Sequence, residues 1–238
     1  MAKSPDSTDL FAQFCNSFAG LGLDLLGGLE LEPSLCPAEH KGFAGHSALL
    51  IGSHGQELWE HFSGSSEFSD EFENPLDRWT IRVLGDLTVE LGCEVFHPSL
   101  KPYWPFQRIA ESVTKAQQSP LGIFIHPEFG LWHGLRGLLV FSPNHEFSNH
   151  VKSMSAPVQE PIHPCDVCEG KPCLTACPAA AFKNDTLDVA SCFSHLDSNN
   201  SPDCMSLGCQ ARDACPVGQE FRYTTEQIQF HMKSYRGV

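Results

Sequence analysis

Eight of the eleven cysteines in this 238-residue chain fall between Cys165 and Cys215. They form two runs. The first is Cys165-x2-Cys168-x4-Cys173-x3-Cys177-Pro178, and the second is Cys192-x11-Cys204-x4-Cys209-x5-Cys215-Pro216. A thiolate is a soft ligand, and four of them hold either an iron–sulfur cluster or a zinc ion. Close spacing lets one loop wrap a compact polynuclear group. The proline that ends each run turns the chain away and supplies no N–H. Zinc knuckles usually pair two C-x2-C steps, and these eight cysteines contain one. A disulfide framework belongs to oxidising compartments. The spacing leaves two metal readings open, paired clusters or paired structural zinc sites.

The first run is similar to the bacterial ferredoxin pattern C-x2-C-x2-C-x3-C-P, with two extra residues in the second gap. Both runs end in the same Ala-Cys-Pro phrase, TACPAAAF and DACPVGQEF. In two-cluster ferredoxins the fourth cysteine of each run ligates the other cluster. That resemblance implies one [4Fe–4S] cluster on Cys165, Cys168, Cys173 and Cys215. It implies a second on Cys192, Cys204 and Cys209 with Cys177. A small, loop-rich, ferredoxin-like dicluster domain of this kind is a one-electron wire. A wire needs a terminus, which the preceding part of the chain should hold.

The elements that position these residues divide at SMSAPVQEPIHP, residues 153–164, a proline-bearing stretch that reads as a linker. We therefore expect one domain over residues 1–155 and another over 156–238. Before the break the chain reads as α/β. SALLIG (47–52) and CEVFHP (93–98) are short strand candidates, and residues 74–92 and 108–118 carry helical spacing, with Gly92 as a C-cap. LGIFIHP (121–127) and RGLLVFSP (136–143) read as two strands joined by a short connection. In that connection His126, Trp132 and Arg136 either form a ligand-facing lip or belong to a plain packed hairpin. The tail, 224–235, begins with a threonine cap and reads as a helix. His163 lies beside the first thiol and either tunes or ligates the group or is an ordinary linker residue. Cys93 reads as a small buried hydrophobe.

Net charge is −14, which argues against a surface built to hold nucleic-acid phosphates. No run of eighteen apolar residues exists, so no membrane partner is expected. The opening MAKSPDSTDL lacks the layout of a signal peptide, and a cytoplasmic location is expected. No Walker, G-x-S-x-G or G-x-G-x-x-G phrase supports a nucleotide fold or a hydrolase.

Three ordered phrases between residues 45 and 143 resemble a known family. IHPEFGLWHGLRGLLVF is similar to the IHPxFGGWFAxRG motif of the CblC-type cobalamin-processing proteins, which have a nitroreductase-like fold. NPLDRWT resembles their DPVD segment, and YWPFQR resembles their tyrosine-rich segment on the cobalamin pocket. Leu131 and His133 depart from the motif. The resemblance implies an α/β (α+β) nitroreductase-like domain in which Gln107 faces the corrin, Trp132 borders the pocket and Arg136 engages a thiol co-substrate. His126 is then placed to contact a corrin side chain or cobalt. With the cysteine-rich segment behind it, the layout resembles a shortened epoxyqueuosine reductase or reductive dehalogenase. Those relatives imply an oxidoreductase using two [4Fe–4S] clusters and cobalamin, with flavin as the alternative, and a redox partner protein. A ferredoxin-type carrier with a docking domain and a cobalamin chaperone are the competing functions. Residues before 45 match none of these phrases.

Overall fold

In a computed structural model, residues 7–154, 162–183, 186–198 and 202–237 are described, with the backbone alone at 202 and 203. Most of the expected linker, residues 155–161, lies outside the described residues. The chain opens with helix α1 (Ser7–Ala19), where Phe11, Phe14 and Phe18 recur at helical spacing and Phe14 and Phe18 are buried. Strand β1 (Asp24–Glu30) pairs antiparallel with β2 (Ser47–His54), with a register shift between Leu25 and Gly27. Neither α1 nor β1 lies in a stretch that the sequence pattern marked as a helix or strand.

Three helices follow, α2 (Glu57–Ser63), α3 (Ser66–Ser69) and α4 (Pro75–Thr88). Pro75 suits the first turn of α4, where its missing N–H has no intrahelical partner to lose. The helix stops short of the expected residue 92. Left-handed Gly92 lies in the loop beyond its end at Thr88. Strand β3 (Glu94–Phe96) and helix α5 (Phe106–Thr114) come next. Lys115, at φ +59°, ends α5 before residue 118.

The chain then contributes β4 (Gln117–Gln118) and β5 (Phe124–Ile125), followed by the long β6 (His133–Phe141) and helix α6 (Ser148–Ser153). Here the expected hairpin is corrected. The segments 121–127 and 136–143 do not pair with each other. β5 pairs with β4 (Gln117↔Ile125, Gln118↔Phe124), and β6 joins the main sheet, whose order is β1-β2-β6-β3. The reason lies in the side chains. Leu138 to Phe141 are an uninterrupted apolar run, buried on both faces as a central strand requires. In 121–127, the left-handed Gly122 and Pro127 interrupt any long ladder.

Two compact units result. The first gathers the described residues to Lys115 and from Gly134 to Met154; the second gathers Ala116–His133 with the chain from Ile162 onward. Residues 116–133, expected with the N-terminal domain, thus group with the cysteines. In the first unit α5 covers one sheet face, packing Ile109, Ala110 and Val113 against Ala48, Leu50, Leu138 and Val140. On the other face α1 sets Phe14 against Phe141, ring centroids 6.4 Å apart. Full burial of each such side chain stabilises the fold by about 1.5–3 kcal/mol. Helix α6 approaches β1 so closely that a Cβ on Gly28 would lie 2.0 Å from the Val151 carbonyl oxygen.

The second unit is built from short pieces: α7 (Pro172–Thr175), the ribbon β7 (Phe182–Lys183) and β8 (Thr186–Leu187), α8 (Val189–Leu196), α9 (Pro202–Leu207), α10 (Gln210–Asp213) and α11 (Thr225–Arg236). α11 is the expected tail helix. The Thr224 hydroxyl caps it by accepting from Gln227 N, and Gly237 closes it in the left-handed region. The core of this unit is Leu121, Ile125 and Leu131 packed with Ala211 and Cys215, and it is flanked by Cys165, Cys173, Cys177 and Cys209.

Candidate functional site

Each of the eight clustered thiols sits on or beside a short element of the second unit. Cys165 and Cys168 lie in the turns before α7 and Cys173 in its first turn; Cys177 follows it. Cys192 is on α8, Cys204 on α9, Cys209 caps the start of α10, and Cys215 follows that helix. Short helices separated by tight turns bring thiols from distant positions inward without a large core.

Charge interactions sort the thiols into two groups. Burial pushes the Cys165 thiol up to about 11, and the negative charges of Cys215, Cys173 and Cys168 add to the rise. Burial also raises Cys173, aided by Cys215 and Cys168, and raises Cys215, aided by Cys168. In the other group, burial raises Cys192 and Cys209, and in both cases the charges of Cys177 and Cys204 contribute. In every case the thiol charges that act belong to the same group. Cys165, Cys168, Cys173 and Cys215 are therefore near neighbours, as are Cys177, Cys192, Cys204 and Cys209.

Among the described residues, no three His, Cys, Asp or Glu side chains converge closely enough to hold a single metal ion. A tetrahedral zinc site, with Zn–S near 2.3 Å, requires sulfurs only about 3.8 Å apart. The second group lines a cavity of about 250 Å³ with Leu121, Ile123, Phe182, Leu196 and Met232 among its apolar walls. That volume, the apolar lining and four soft donors fit a polynuclear iron–sulfur group. A more open recess of about 350 Å³ lies beside Cys165, lined by Gln118, Ser119, His163 and Lys171. Val167, between two thiols of the first group, is 66 % exposed.

The segment 116–133 is held to the thiol-bearing loops at close range. Arg212 donates from Nε and Nη2 to the Leu131 carbonyl at 3.1 and 2.5 Å. Its guanidinium lies 4.3 Å from the Trp132 ring centroid and 4.7 Å from that of Tyr223. Backbone meets backbone between Phe129-Gly130 and Val217-Gly218, where neither glycine leaves room for a Cβ.

The four residues expected around a corrin fall in different places. Gln107 is exposed on α5 of the first unit. Arg136, also in the first unit, donates from Nε to Ser53 Oγ at 3.0 Å. His126 and Trp132 belong to the second unit. His126 stacks on Phe129 at 4.3 Å, and its Nδ1 accepts from the N–H groups of Glu128 and Phe129, which organises the turn. Trp132 is 3 % exposed in a cluster with Tyr223 and Ile228, so its ring faces protein. His163 behaves as a brace. Its Nδ1 accepts from Cys165 N at 3.0 Å, and its Nε2 lies 3.2 Å from the Gln118 carbonyl oxygen.

Other groups at the second cavity carried no spacing signal. His195 Nε2 lies 3.7 Å from Cys204 Sγ, Gln210 Nε2 lies 4.0 Å from the same sulfur, and Tyr235 lines the same cavity as Cys192. In the first unit, a ring cluster of His40, Phe43, His46, Phe96 and Trp104 holds three nitrogens with no partner among the described residues, His40 Nδ1, His46 Nδ1 and Trp104 Nε1. No described helix is long and apolar enough to cross a membrane.

No family model and no curated protein matches the chain. Among solved structures it is similar to the C. elegans B12-trafficking protein CblC, a human MMACHC homologue, at 14% identity and a TM-score of 0.49, covering 97% of this chain and 96% of that one. It is also similar to epoxyqueuosine reductase from Bacillus subtilis, at 12% identity and a TM-score of 0.49, covering 92% and 68%. A third similar structure is epoxyqueuosine reductase with an epoxyqueuosine-modified tRNA stem loop, at 13% identity and a TM-score of 0.43, covering 92% and 60%.

Proposed function

We propose that this chain is an iron–sulfur redox protein whose second unit holds two [4Fe–4S] groups and delivers single electrons to a cofactor on the first unit. The observation that carries the reading is the sorting of eight thiols into two interlocked groups of four, each completed by a cysteine from the other run. One group would be bound by Cys165, Cys168, Cys173 and Cys215, the other by Cys177, Cys192, Cys204 and Cys209. Bound there, such groups supply one-electron transfer at potentials tuned by burial and hydrogen bonding to sulfur. The chain's own residues do the rest. Leu121, Ile125 and Leu131 shield the thiols from water, and Arg212 ties them to the loops. The acceptor reading rests on the motif resemblance, which names a corrinoid. The unmet nitrogens around Trp104, on the YWPFQR phrase, are the kind of buried polar group that a ligand satisfies. Trp132 is enclosed, and the other residues named by the resemblance are divided between the two units.

The test is compositional. The chain is purified without oxygen and assayed for iron, acid-labile sulfide, zinc, cobalt and flavin, then mixed with hydroxocobalamin before and after dithionite. Iron and sulfide in equal amounts, with a corrin spectral response, support the proposal. Zinc without sulfide refutes it. Clusters that titrate with no corrin or flavin response leave a plain electron carrier.

A further inference from the structure

The two groups of thiols differ in what surrounds them. Among the described residues, no side chain donates a hydrogen bond to Cys165, Cys168, Cys173 or Cys215; Cys173 and Cys215 take their help from backbone N–H groups, those of Leu174 and Val217 among them. The second group has backbone donors as well, such as Ala181 N to Cys177 Sγ at 3.5 Å. It adds three polar side chains that line the same cavity, Tyr235, Gln210 and His195. Two of them reach Cys204 Sγ at 4.0 and 3.7 Å. The third, Tyr235, is brought in by a helix from the far end of the sequence.

Tyr235 is held in place by a chain of contacts. Arg236 donates from Nε and Nη2 to the two carboxylate oxygens of Asp197, each at 2.7 Å. Its guanidinium lies 5.0 Å from the Phe193 ring centroid, and Phe193 meets Tyr235 edge-on at 5.3 Å. Phe193 is the neighbour of Cys192 on α8. A bidentate ion pair, a cation–π contact and an aromatic pair thus fix the last turn of α11 against the thiol-bearing helix.

On the iron–sulfur reading above, we propose that Tyr235, together with Gln210 and His195, raises the reduction potential of the centre held by Cys177, Cys192, Cys204 and Cys209 above that of the other. Reduction adds negative charge that spreads onto the sulfurs, and O–H and N–H donors aimed at them stabilise that charge. With both groups bound, the one held by Cys177, Cys192, Cys204 and Cys209 would be the preferred seat of an electron before it is passed on. Lys171 is the cation whose charge acts on Cys165, but it is exposed and its field is screened by salt. Asp197 and Arg236 are positioning residues, and the phenol is the group that tunes.

The experiment is an anaerobic redox titration of the full chain followed by electron paramagnetic resonance, with iron and sulfide measured on every sample. In Tyr235→Phe, one midpoint is expected to fall by about a tenfold change in the reduction equilibrium, 59 mV for one electron. The other stays in place, with iron and sulfide at the wild-type level. The signal that moves must belong to the centre of higher potential in the wild type. If Tyr235→Phe loses iron, Arg236→Gln keeps the phenol but loosens it, and the same single midpoint must fall by a smaller amount. No shift, an equal shift of both midpoints, or a shift confined to the lower-potential centre overturns the inference while leaving the iron–sulfur reading intact. A wild-type chain without iron and sulfide overturns that reading and the inference with it.

Discussion

Gly130 offers a sharp test of how the 116–133 segment supports the thiols. Its φ is +57°, and a Cβ built there would lie 2.0 Å from the Val217 carbonyl oxygen and 2.6 Å from its carbon. Ordinary contact begins near 3.4 Å, so Gly130→Ala must separate two backbones by about 1.4 Å. Those atoms cannot swing aside as a flexible side chain would. Left-handed backbone costs a non-glycine residue about 1–2 kcal/mol. Overpacking adds about 1–3 kcal/mol, so the total is about 2–5 kcal/mol. The displaced Val217 is two residues from Cys215, and from the other side a Cβ on Gly218 would lie 2.4 Å from the Phe129 carbonyl carbon and oxygen. The damage should therefore fall first on the group that contains Cys215. Gly122→Ala is the control, since Gly122 has φ +77° but nothing within 4 Å of a new Cβ. It should show only the backbone cost, about 1–2 kcal/mol. The assay is iron and sulfide per chain after anaerobic purification, with the denaturant midpoint alongside. Gly130→Ala should lose about half of its iron, while Gly122→Ala keeps it. Equal iron and equal midpoints in the two variants would refute the close-approach argument.

Two further outcomes are expected in the first unit. His97 is 5 % exposed, and burial holds its imidazole below the ordinary range, with Arg136 acting in the same direction and Asp77 opposing. A depressed histidine stabilises the fold above its unfolded value of about 6.5 and loses that contribution as pH falls below it. His97→Gln should therefore flatten the acid side of the stability–pH curve, and an unchanged slope would remove His97 as the cause. Glu67 accepts from Arg82 Nε at 2.5 Å and from Nη2 at 3.2 Å, and this partner holds its carboxyl down at about 2. Its contribution is complete above about 4.5 and is lost as pH falls through about 2. Because Arg82 is half exposed, Glu67→Gln should cost about 1–2 kcal/mol at neutral pH in chemical denaturation, and no loss would show that solvent screens the pair fully.

The strands and helices with continuous apolar patterning were legible. SALLIG, the 74–92 helix and the capped tail all appear, with boundaries moved by a few residues. The partners of 121–127 were not legible. Alternation and length describe a strand but not which edge it will find, and Leu121, Ile125 and Leu131 turn out to bury their apolar surface among the thiols. The unit boundary moved with them, because contacts and not the proline-rich stretch define a compact body.

By itself the sequence determined the chemistry available: eight soft donors in two proline-ended runs, too closely spaced for an ordinary core and too few in C-x2-C pairs for ordinary zinc knuckles. The ferredoxin resemblance implied which thiols group together, but nothing in the spacing signalled that Tyr235, His195 and Gln210 would gather at one group, or which helices would bring them there; Tyr235 is more than forty residues from Cys192. Tertiary structure decided those matters. Spacing along a chain constrains only neighbours within a turn or two, while the charge and hydrogen bonding felt by a thiol come from whatever the whole fold brings within a few ångströms.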